Sequence, residues 1–280
     1  MGFRIGPAGW SYEDWKGRVY PDPRPPGFDE LAFIASLFPT IEINSTFYRP
    51  ASARMSESWA HRTPDGFVFT AKLWEKFTHG KEGFTPADVR LFQEGLVPLL
   101  RAGKLAALLM QFPWHFKDAP ESRDRVRAVA EAFAEWAPLV VEVRHRSWLD
   151  ALDFLGALKL SFCNIDQPRS STAITGTTLV TGPVGYVRLH GRNAKAWFSK
   201  EAGRDQKYDY LYSPDELRDW SARIREMEGR ADAIFVITNN HFLGKGVANA
   251  LQLRALLGET PPPAPSPLVE AFPFLAQSPP

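Results

Sequence analysis

Residues 40–44 read Thr40-Ile41-Glu42-Ile43-Asn44, a short run in which isoleucines alternate with polar side chains. Successive side chains on a β-strand point to opposite faces, so the two isoleucines share one face and Glu42 shares the other with Asn44. Amphipathic helical patterns flank this run at 30–38 and 53–62. A short strand between two helices is the repeating unit of a parallel α/β sheet, so this segment predicts crossover connections.

The same unit recurs along the whole chain of 280 residues. Short apolar or β-branched runs predict strands at 3–8, 40–43, 67–71, 105–112, 139–143, 160–165, 185–189 and 233–238. Helical patterns lie at 30–38, 53–62, 86–102, 121–137, 148–159, 214–228 and 243–257. Eight strands in a chain of this length predict an α/β fold, a single parallel (β/α)8 TIM-type barrel.

Two segments depart from the repeating pattern. Residues 167–183, between the sixth and seventh strands, are rich in Ser, Thr, Gly and Pro, which predicts a loop without a helix. Residues 259–280 are rich in proline and predict a tail that packs on or near the barrel in extended form. The predicted organisation is therefore one barrel domain over residues 1–258 followed by this tail.

Composition excludes several classes of protein. The net charge of +1 is too small for the chain to bind nucleic acid through its overall charge. Any electrostatic attraction of a charged partner must therefore come from a local cluster of charges. The single cysteine, Cys163, cannot form an internal disulfide, which fits a reducing compartment. No signal peptide is visible at the N-terminus, and no apolar run reaches about 18 residues. We expect a cytoplasmic protein that does not act in a membrane.

Polar residues are concentrated late in seven of the predicted strands. They are Glu42 with Asn44, Thr70 with Lys72, Gln111, Glu142 with Arg144, Asn164 with Asp166, Arg188 with His190, and Thr238 with Asn240. Barrel enzymes carry their active sites at the C-terminal ends of the strands. We therefore expect Glu42, Lys72, Glu142, Asp166 and His190 to face one cavity. The alternative is that the glutamates and arginines pair with one another and His190 is a hydrogen-bonded core residue, fixing geometry without chemistry.

Several short motifs resemble those of one protein family. They are residues 6–12 (GPAGWSY), 42–48 (EINSTFY), 69–72 (FTAK), 111–113 (QFP), 142–144 (EVR), 188–192 (RLHGR) and 239–240 (NN). Together they resemble the domain-of-unknown-function family 72, the YecE-like proteins, over roughly residues 3 to 257. The resemblance implies a TIM-type barrel and names no activity. Such barrels are similar to the xylose-isomerase-like group, which includes metal-dependent DNA repair endonucleases, but a fold does not transfer a function.

Basic and aromatic residues at the strand ends favour an anionic ligand with a ring. Arginine forks suit phosphate or carboxylate, and aromatic side chains stack on bases or sugars. The candidate substrate-binding residues are Trp10, Asn44, Tyr48, Lys72, Arg144, Trp148, Arg188, Arg192, Trp197, Asn239 and Asn240. The long segment 192–213 after the seventh strand is expected to act as a lid or binding loop.

The carboxylates and His190 suggest acid–base chemistry. The leading hypothesis is a hydrolase or related enzyme acting on a phosphate-bearing substrate, a nucleic acid or a sugar phosphate, with catalytic residues Glu42, Glu142, Asp166 and His190. One alternative is a non-catalytic protein that binds an anionic ligand or nucleic acid. Another is a glycosidase that uses Glu42 and Glu142.

No cofactor is expected to be required. Glu142, Asp166 and His190 lie on consecutive strands and could hold a divalent metal, but the sequence has none of the common metal-binding motifs, which disfavours this reading. Cys163 lies on the strand face opposite Asn164 and Asp166 and is expected to be a buried core residue rather than a nucleophile.

Overall fold

A computed structural model describes residues 2–199, 201–203 and 205–276, and eight parallel strands within them form one sheet in the order β1-β8-β7-β6-β5-β4-β3-β2. The strands are β1 (Phe3–Pro7), β2 (Thr40–Ile43), β3 (Val68–Lys72), β4 (Leu105–Gln111), β5 (Leu139–Glu142), β6 (Ser161–Asp166), β7 (Val184–Leu189) and β8 (Ala233–Thr238). The two ends of the sheet meet where Ala8 bridges Glu42, and the Gly9 N–H donates to the Glu42 carbonyl over 2.8 Å. The predicted (β/α)8 barrel and all eight predicted strands are confirmed.

The described part of the chain contains eleven α-helices, which lie between and after the strands. They are α1 (Glu30–Leu37), α2 (Ser45–Tyr48), α3 (Ala53–His61), α4 (Glu75–Thr78), α5 (Pro86–Arg101), α6 (Pro120–Phe133), α7 (Leu152–Ala157), α8 (Ala194–Trp197), α9 (Pro214–Arg225), α10 (Lys245–Leu256) and α11 (Ser266–Ala271). Helices α5 and α9 begin with capping boxes, Thr85 with Asp88 and Ser213 with Glu216, which satisfy backbone N–H groups of the first turn. Among these helices, none is long and apolar enough to cross a membrane.

Two segments were predicted to depart from the repeating strand–helix pattern, and the prediction is correct for one and incomplete for the other. Residues 167–183 contain no helix, as predicted. The tail is not simply extended, because residues 266–271 form α11, which buries Leu268. Pro267 is tolerated in the first helical turn, where a backbone N–H would have no partner in the helix. Residues 277–280 of the predicted tail lie outside the described residues.

Closure of the barrel depends on a glycine in β1. A Cβ atom added to Gly6 would lie 1.9 Å from the backbone oxygen of Thr40 in β2, far inside van der Waals contact. The obstacle is a backbone atom, so it cannot move aside as a side chain could. The absence of a side chain at this position therefore allows the first and second strands to approach and close the barrel.

We predict that Gly6→Ala lowers the free energy of unfolding by about 3 kcal/mol, because the added methyl group forces β1 and β2 apart. Urea unfolding followed by far-UV circular dichroism measures this change. Gly156→Ala is the matched control, since its Cβ would meet only the Thr181 oxygen at 3.8 Å and would favour helix α7. Equal stability of Gly6→Ala and the wild type would contradict this explanation of closure.

Candidate functional site

The interior of the barrel contains a buried ion-pair network centred on Arg188. Its Nε donates to Glu42 Oε2 over 3.0 Å and its Nη2 donates to Glu42 Oε1 over 2.7 Å, while Nη1 donates to Glu142 Oε2. Side chains of all three residues are 0% exposed. The guanidinium therefore joins β2, β5 and β7 through one group whose three nitrogens are all engaged.

A second arginine completes the coordination of Glu142. Arg144 donates to Glu142 Oε1 from Nε at 2.9 Å and from Nη2 at 2.7 Å. Burial alone would favour the neutral acid, but the positive charges of Arg188 and Arg144 hold the pKa of Glu142 well below its ordinary value. Glu142 is thus a permanently ionised group held between two guanidinium groups, and it is a poor candidate for a proton carrier near neutral pH.

Glu42 is equally enclosed. Besides Arg188, it accepts a hydrogen bond from the Tyr186 hydroxyl over 2.9 Å, and that hydroxyl lies 2.8 Å from Thr70 Oγ1. Burial and the nearby charge of Glu42 raise the pKa of Tyr186 well above its ordinary value, so the phenol stays a hydrogen-bond donor. The expectation that Glu42, Glu142 and Arg188 face the barrel interior is correct, and the structure also shows them paired with one another.

The expectation that Asn164 and Asp166 share this interior is wrong. In the β6–β7 register, Cys163 lies opposite Tyr186 and Asp166 lies opposite Leu189, so Cys163 faces inward and the polar pair faces the helices. Cys163 Sγ lies 4.0 Å from Glu142 Oε2, and burial followed by this negative charge raises the pKa of its thiol well above the ordinary value. The thiol is therefore buried and protonated, as its sequence position suggested, although it lies on the interior face.

Asp166 and Arg192 form a separate cluster outside the barrel. Arg192 Nε donates to Asp166 Oδ2 over 2.8 Å, and its Nη1 donates to Glu216 Oε1 over 2.8 Å. Strand alternation ends before Arg192, because Gly191 has a φ of +89° and turns the chain away from the interior. Neither Asp166 as a catalytic residue nor Arg192 as a residue at the barrel mouth is supported by this placement.

Two further candidates also lie away from the interior. Asn240 donates to the Tyr210 carbonyl and to Asn249 Oδ1, each over 2.9 Å, and so anchors the loop after β7 to helix α10. Trp148 is 0% exposed, and its Nε1 donates to the Phe116 carbonyl over 2.9 Å. Both residues stabilise the loops around the barrel mouth and do not line the cavity described next.

A cavity of about 550 Å³ opens at the C-terminal ends of the strands. Its walls are formed by Gly9, Trp10, Ser11, Tyr12, Asn44, Ser45, Tyr48, Arg49, Met55, Trp59, Lys72, Tyr208, Asn239 and His241. Trp10 packs edge-on against Trp59 with ring centroids 5.6 Å apart, and the ring of Tyr48 is largely exposed. Five of the predicted binding residues, Trp10, Asn44, Tyr48, Lys72 and Asn239, therefore line one cavity.

Several lining residues were not singled out from the sequence. Trp59 lies in helix α3 and is a buried core residue that also reaches the cavity wall, which its helical sequence pattern did not indicate. Tyr208 comes from the long loop that was expected to act as a lid. Arg49 directly follows Tyr48, and adjacency to a predicted binding residue was the signal that could have identified it.

Lys72 differs from Arg144 and Arg188 because it has no close carboxylate partner. Its ammonium lies 5.1 Å from the centre of the Phe47 ring, and no carboxylate of the described residues lies within the 4.0 Å of an ion pair. Burial, followed by the positive charge of Arg188, lowers the pKa of Lys72 to about 8. Lys72 thus lies on the cavity wall and has a pKa close to neutral pH.

His190 lies beside this cavity and stays uncharged. Its Nδ1 is 2.9 Å from the Asn239 amide nitrogen, and its Nε2 has no hydrogen-bond partner among the described residues, with Glu142 Oε1 3.6 Å away. Burial lowers the pKa of His190 to about 3 despite the negative charge of Glu142. The rings of Trp197 and Tyr208 lie 6.1 and 6.3 Å from the imidazole, so the loop after β7 packs beside it.

The geometry offers no cluster of metal ligands. Within the described residues, no group of three or more His, Cys, Asp and Glu side chains converges as a metal site requires. The set considered from the sequence, Glu142, Asp166 and His190, is divided between the two faces of the barrel wall. These three residues do not fit a common metal ion.

Comparisons with known proteins agree with the fold and the motifs. A family model described as "Protein of unknown function DUF72" matches residues 4–270. The chain belongs to the DUF72 family. The UPF0759 protein YunF of Bacillus subtilis (strain 168) is 30% identical over 269 residues, which cover 90% of this chain and 94% of the relative.

Solved structures of DUF72 proteins share this barrel. A DUF72 family protein of Thermotoga maritima is 31% identical, with a TM-score of 0.82 and coverage of 92% of this chain and 100% of the other. One from Enterococcus faecalis V583 is 25% identical, with a TM-score of 0.83 and coverage of 92% and 96%. The resemblance inferred from the motifs is confirmed.

For this DUF72 protein we predict that Arg188→Met is destabilised by about 3–5 kcal/mol, because Glu42 and Glu142 are left as buried, incompletely paired anions. Chemical unfolding monitored by circular dichroism measures the loss. The triple variant Arg188→Met, Glu42→Gln, Glu142→Gln is the control, and we expect it to recover much of that loss. A single variant as stable as the wild type would contradict the network described above.

Proposed function

We propose that this protein is an acid–base enzyme of the hydrolase type that acts on a small phosphate-bearing substrate at the cavity described above. The main support for this proposal is the environment of Lys72. Lys72 is a largely buried cation on the cavity wall, it lacks an ion-pair partner, and its pKa of about 8 suits proton transfer near neutral pH.

The proposed roles follow from position and charge. Lys72 attracts the phosphate and, as an ammonium, donates a proton to the leaving oxygen. Arg144, whose side chain is 13% exposed, adds positive charge from the end of β5. His190 presents its Nε2 as a neutral hydrogen-bonding group beside the same cavity, and the aromatic walls of Trp10 and Tyr48 receive the rest of the substrate.

Glu42 and Glu142 have a positioning role in this scheme. Their ion pairs with Arg188 and Arg144 hold the strand ends in place, and Glu142 keeps His190 close to the positively charged mouth. This arrangement argues against the glycosidase alternative, which requires two carboxyl groups with space for a sugar between them. Here one guanidinium occupies that space.

A second candidate is a non-catalytic protein that binds an anionic ligand in the same cavity. The observation that favours it is the pairing itself, because both interior glutamates are already engaged by arginines and no carboxylate base faces the cavity in the described structure. The two candidates share Lys72 as the anion-binding group and differ only in whether turnover occurs.

We predict that the wild type hydrolyses at least one substrate of a panel of chromogenic phosphomonoesters and phosphodiesters. Lys72→Met should lower kcat by about 100- to 10,000-fold, because the proton donor is lost. The wild-type kcat/KM should fall above about pH 8, where the Lys72 ammonium of the free protein loses its proton. Steady-state rates measured from pH 6 to 10 test both statements.

Lys81→Met, which changes an exposed lysine, serves as the matched control and should keep the wild-type rate. Wild-type rates no higher than those of Lys72→Met on every substrate would refute the enzymatic proposal. If phosphate binding were then lost only in Lys72→Met, the binding-protein candidate would stand in its place.

A further inference from the structure

Buried polar atoms without partners lie around the mouth of the barrel. Among the described residues, Asn44 Oδ1, Gln111 Oε1 and His190 Nε2 are buried and have no hydrogen-bond partner. They come from the ends of β2, β4 and β7, and Asn44 lies directly on the cavity wall beside Lys72. Buried polar groups are usually paired in folded proteins, and of these three residues Asn44 alone lines the cavity, so its oxygen indicates a ligand that the cavity is built to receive.

The neighbours of Asn44 fix which of its atoms is unpaired. The Tyr12 hydroxyl donates its proton to the Ala8 carbonyl over 2.7 Å, so the Tyr12 oxygen acts as the acceptor toward the Asn44 amide nitrogen 3.5 Å away. The other side-chain atom of Asn44 is therefore the carbonyl oxygen, which needs a donor. Gln111 presents the same requirement through its Oε1.

The neighbours of His190 assign it the opposite role. The Asn239 amide nitrogen lies 2.9 Å from Nδ1 and is the natural donor to it. Nδ1 then accepts, and a neutral imidazole carries its proton on Nε2. The strand ends therefore offer two acceptors, on Asn44 and Gln111, and one cation, on Lys72, while the Nε2–H of His190 faces Glu142 Oε1 at 3.6 Å.

This set restricts the ligand further than charge alone. An inorganic anion would satisfy Lys72 but has few protons to donate to two amide oxygens, and an unsubstituted aromatic ring has none. Hydroxyl groups can donate to amide oxygens, so an anion that carries several of them meets the requirements of Lys72 and of the unpaired amide oxygens together. An apolar sugar face would also pack against the aromatic wall formed by Trp10 and Tyr48.

We infer that the ligand of this cavity is a small polyhydroxylated anion, a sugar carrying a phosphate or a carboxylate group. The anionic group contacts Lys72 and a hydroxyl group donates to Asn44 Oδ1, since both residues line the cavity. This inference rests on the proposed function for the anion-binding role of Lys72, and it adds the chemical class of the remainder of the substrate.

Isothermal titration calorimetry with four probes tests the inference on the full chain. Glucose 6-phosphate and gluconate carry both hydroxyls and an anion, inorganic phosphate carries the anion without a sugar, and glucose carries hydroxyls without charge. We expect at least one of the first two to bind about tenfold or more tightly than both inorganic phosphate and glucose. The better of the two identifies the anionic group as phosphate or carboxylate.

Two variants separate the contributions of the groups. Asn44→Ala removes the unpaired acceptor and should weaken the preferred sugar anion about tenfold while leaving inorganic phosphate unchanged. Gln93→Ala is the matched control, because that amide lies on helix α5 away from the cavity and donates to the Ala132 carbonyl, and it should leave the preference for the sugar anion as in the wild type. Thermal unfolding of both variants confirms that each is folded at the assay temperature.

Each result decides a separate claim. Equal affinity for inorganic phosphate and both sugar anions, or an unchanged preference in Asn44→Ala, would overturn the polyhydroxylated class and leave the anion site intact. Absence of binding for all four probes would overturn the inference and the anion-binding role of Lys72 together. Binding with the expected preference, together with wild-type rates no higher than those of Lys72→Met on every ester of the panel, would support the inference and reject the hydrolase proposal.

Discussion

The guanidinium of Arg188, held between Glu42 and Glu142 at zero exposure, is the interaction on which the rest of the site depends. Two carboxylates buried in a barrel are tolerable only if cations neutralise them, and Arg188 does this with all three of its nitrogens. The same contacts tie together three strands that are not neighbours in the sheet. Besides burial, the charge of Arg188 also acts on Lys72 and His190 at the strand ends, where it lowers the pKa of both groups.

The charge balance of the interior explains why an anion is the expected ligand. Glu42 and Glu142 carry two negative charges, while Arg188, Arg144 and protonated Lys72 carry three positive ones. The surplus lies at Lys72, on the wall of the cavity. Asp166 and Arg192 neutralise each other on the outer side of the barrel and do not change this balance. An anionic group at the mouth would restore neutrality.

Sequence alone was sufficient for the fold, because alternation in segments such as Thr40–Ile43 and the regular spacing of helices are local properties of the chain. The faces of individual strands were harder to assign. In β6 both faces are fully buried and both carry polar groups, Cys163 and Asn164 among them, so alternation could not show which face is the interior. That choice is set by the register with β7, a property of the closed barrel rather than of the strand. The left-handed Gly191 similarly redirects Arg192. Which arginine pairs with which glutamate also depends on the tertiary structure, so the sequence could not show it.

The central claim is that Lys72 is an unpaired, readily titrated cation that receives an anion, and its own titration tests this most directly. Nuclear magnetic resonance of the side-chain amine in protein with isotopically labelled lysine, assigned with Lys72→Met, would follow its protonation. The account predicts a midpoint near pH 8 in the protein alone and an upward shift when inorganic phosphate binds, because the anion stabilises the charged form. A midpoint near the ordinary value of 10.5, unmoved by phosphate, would contradict it.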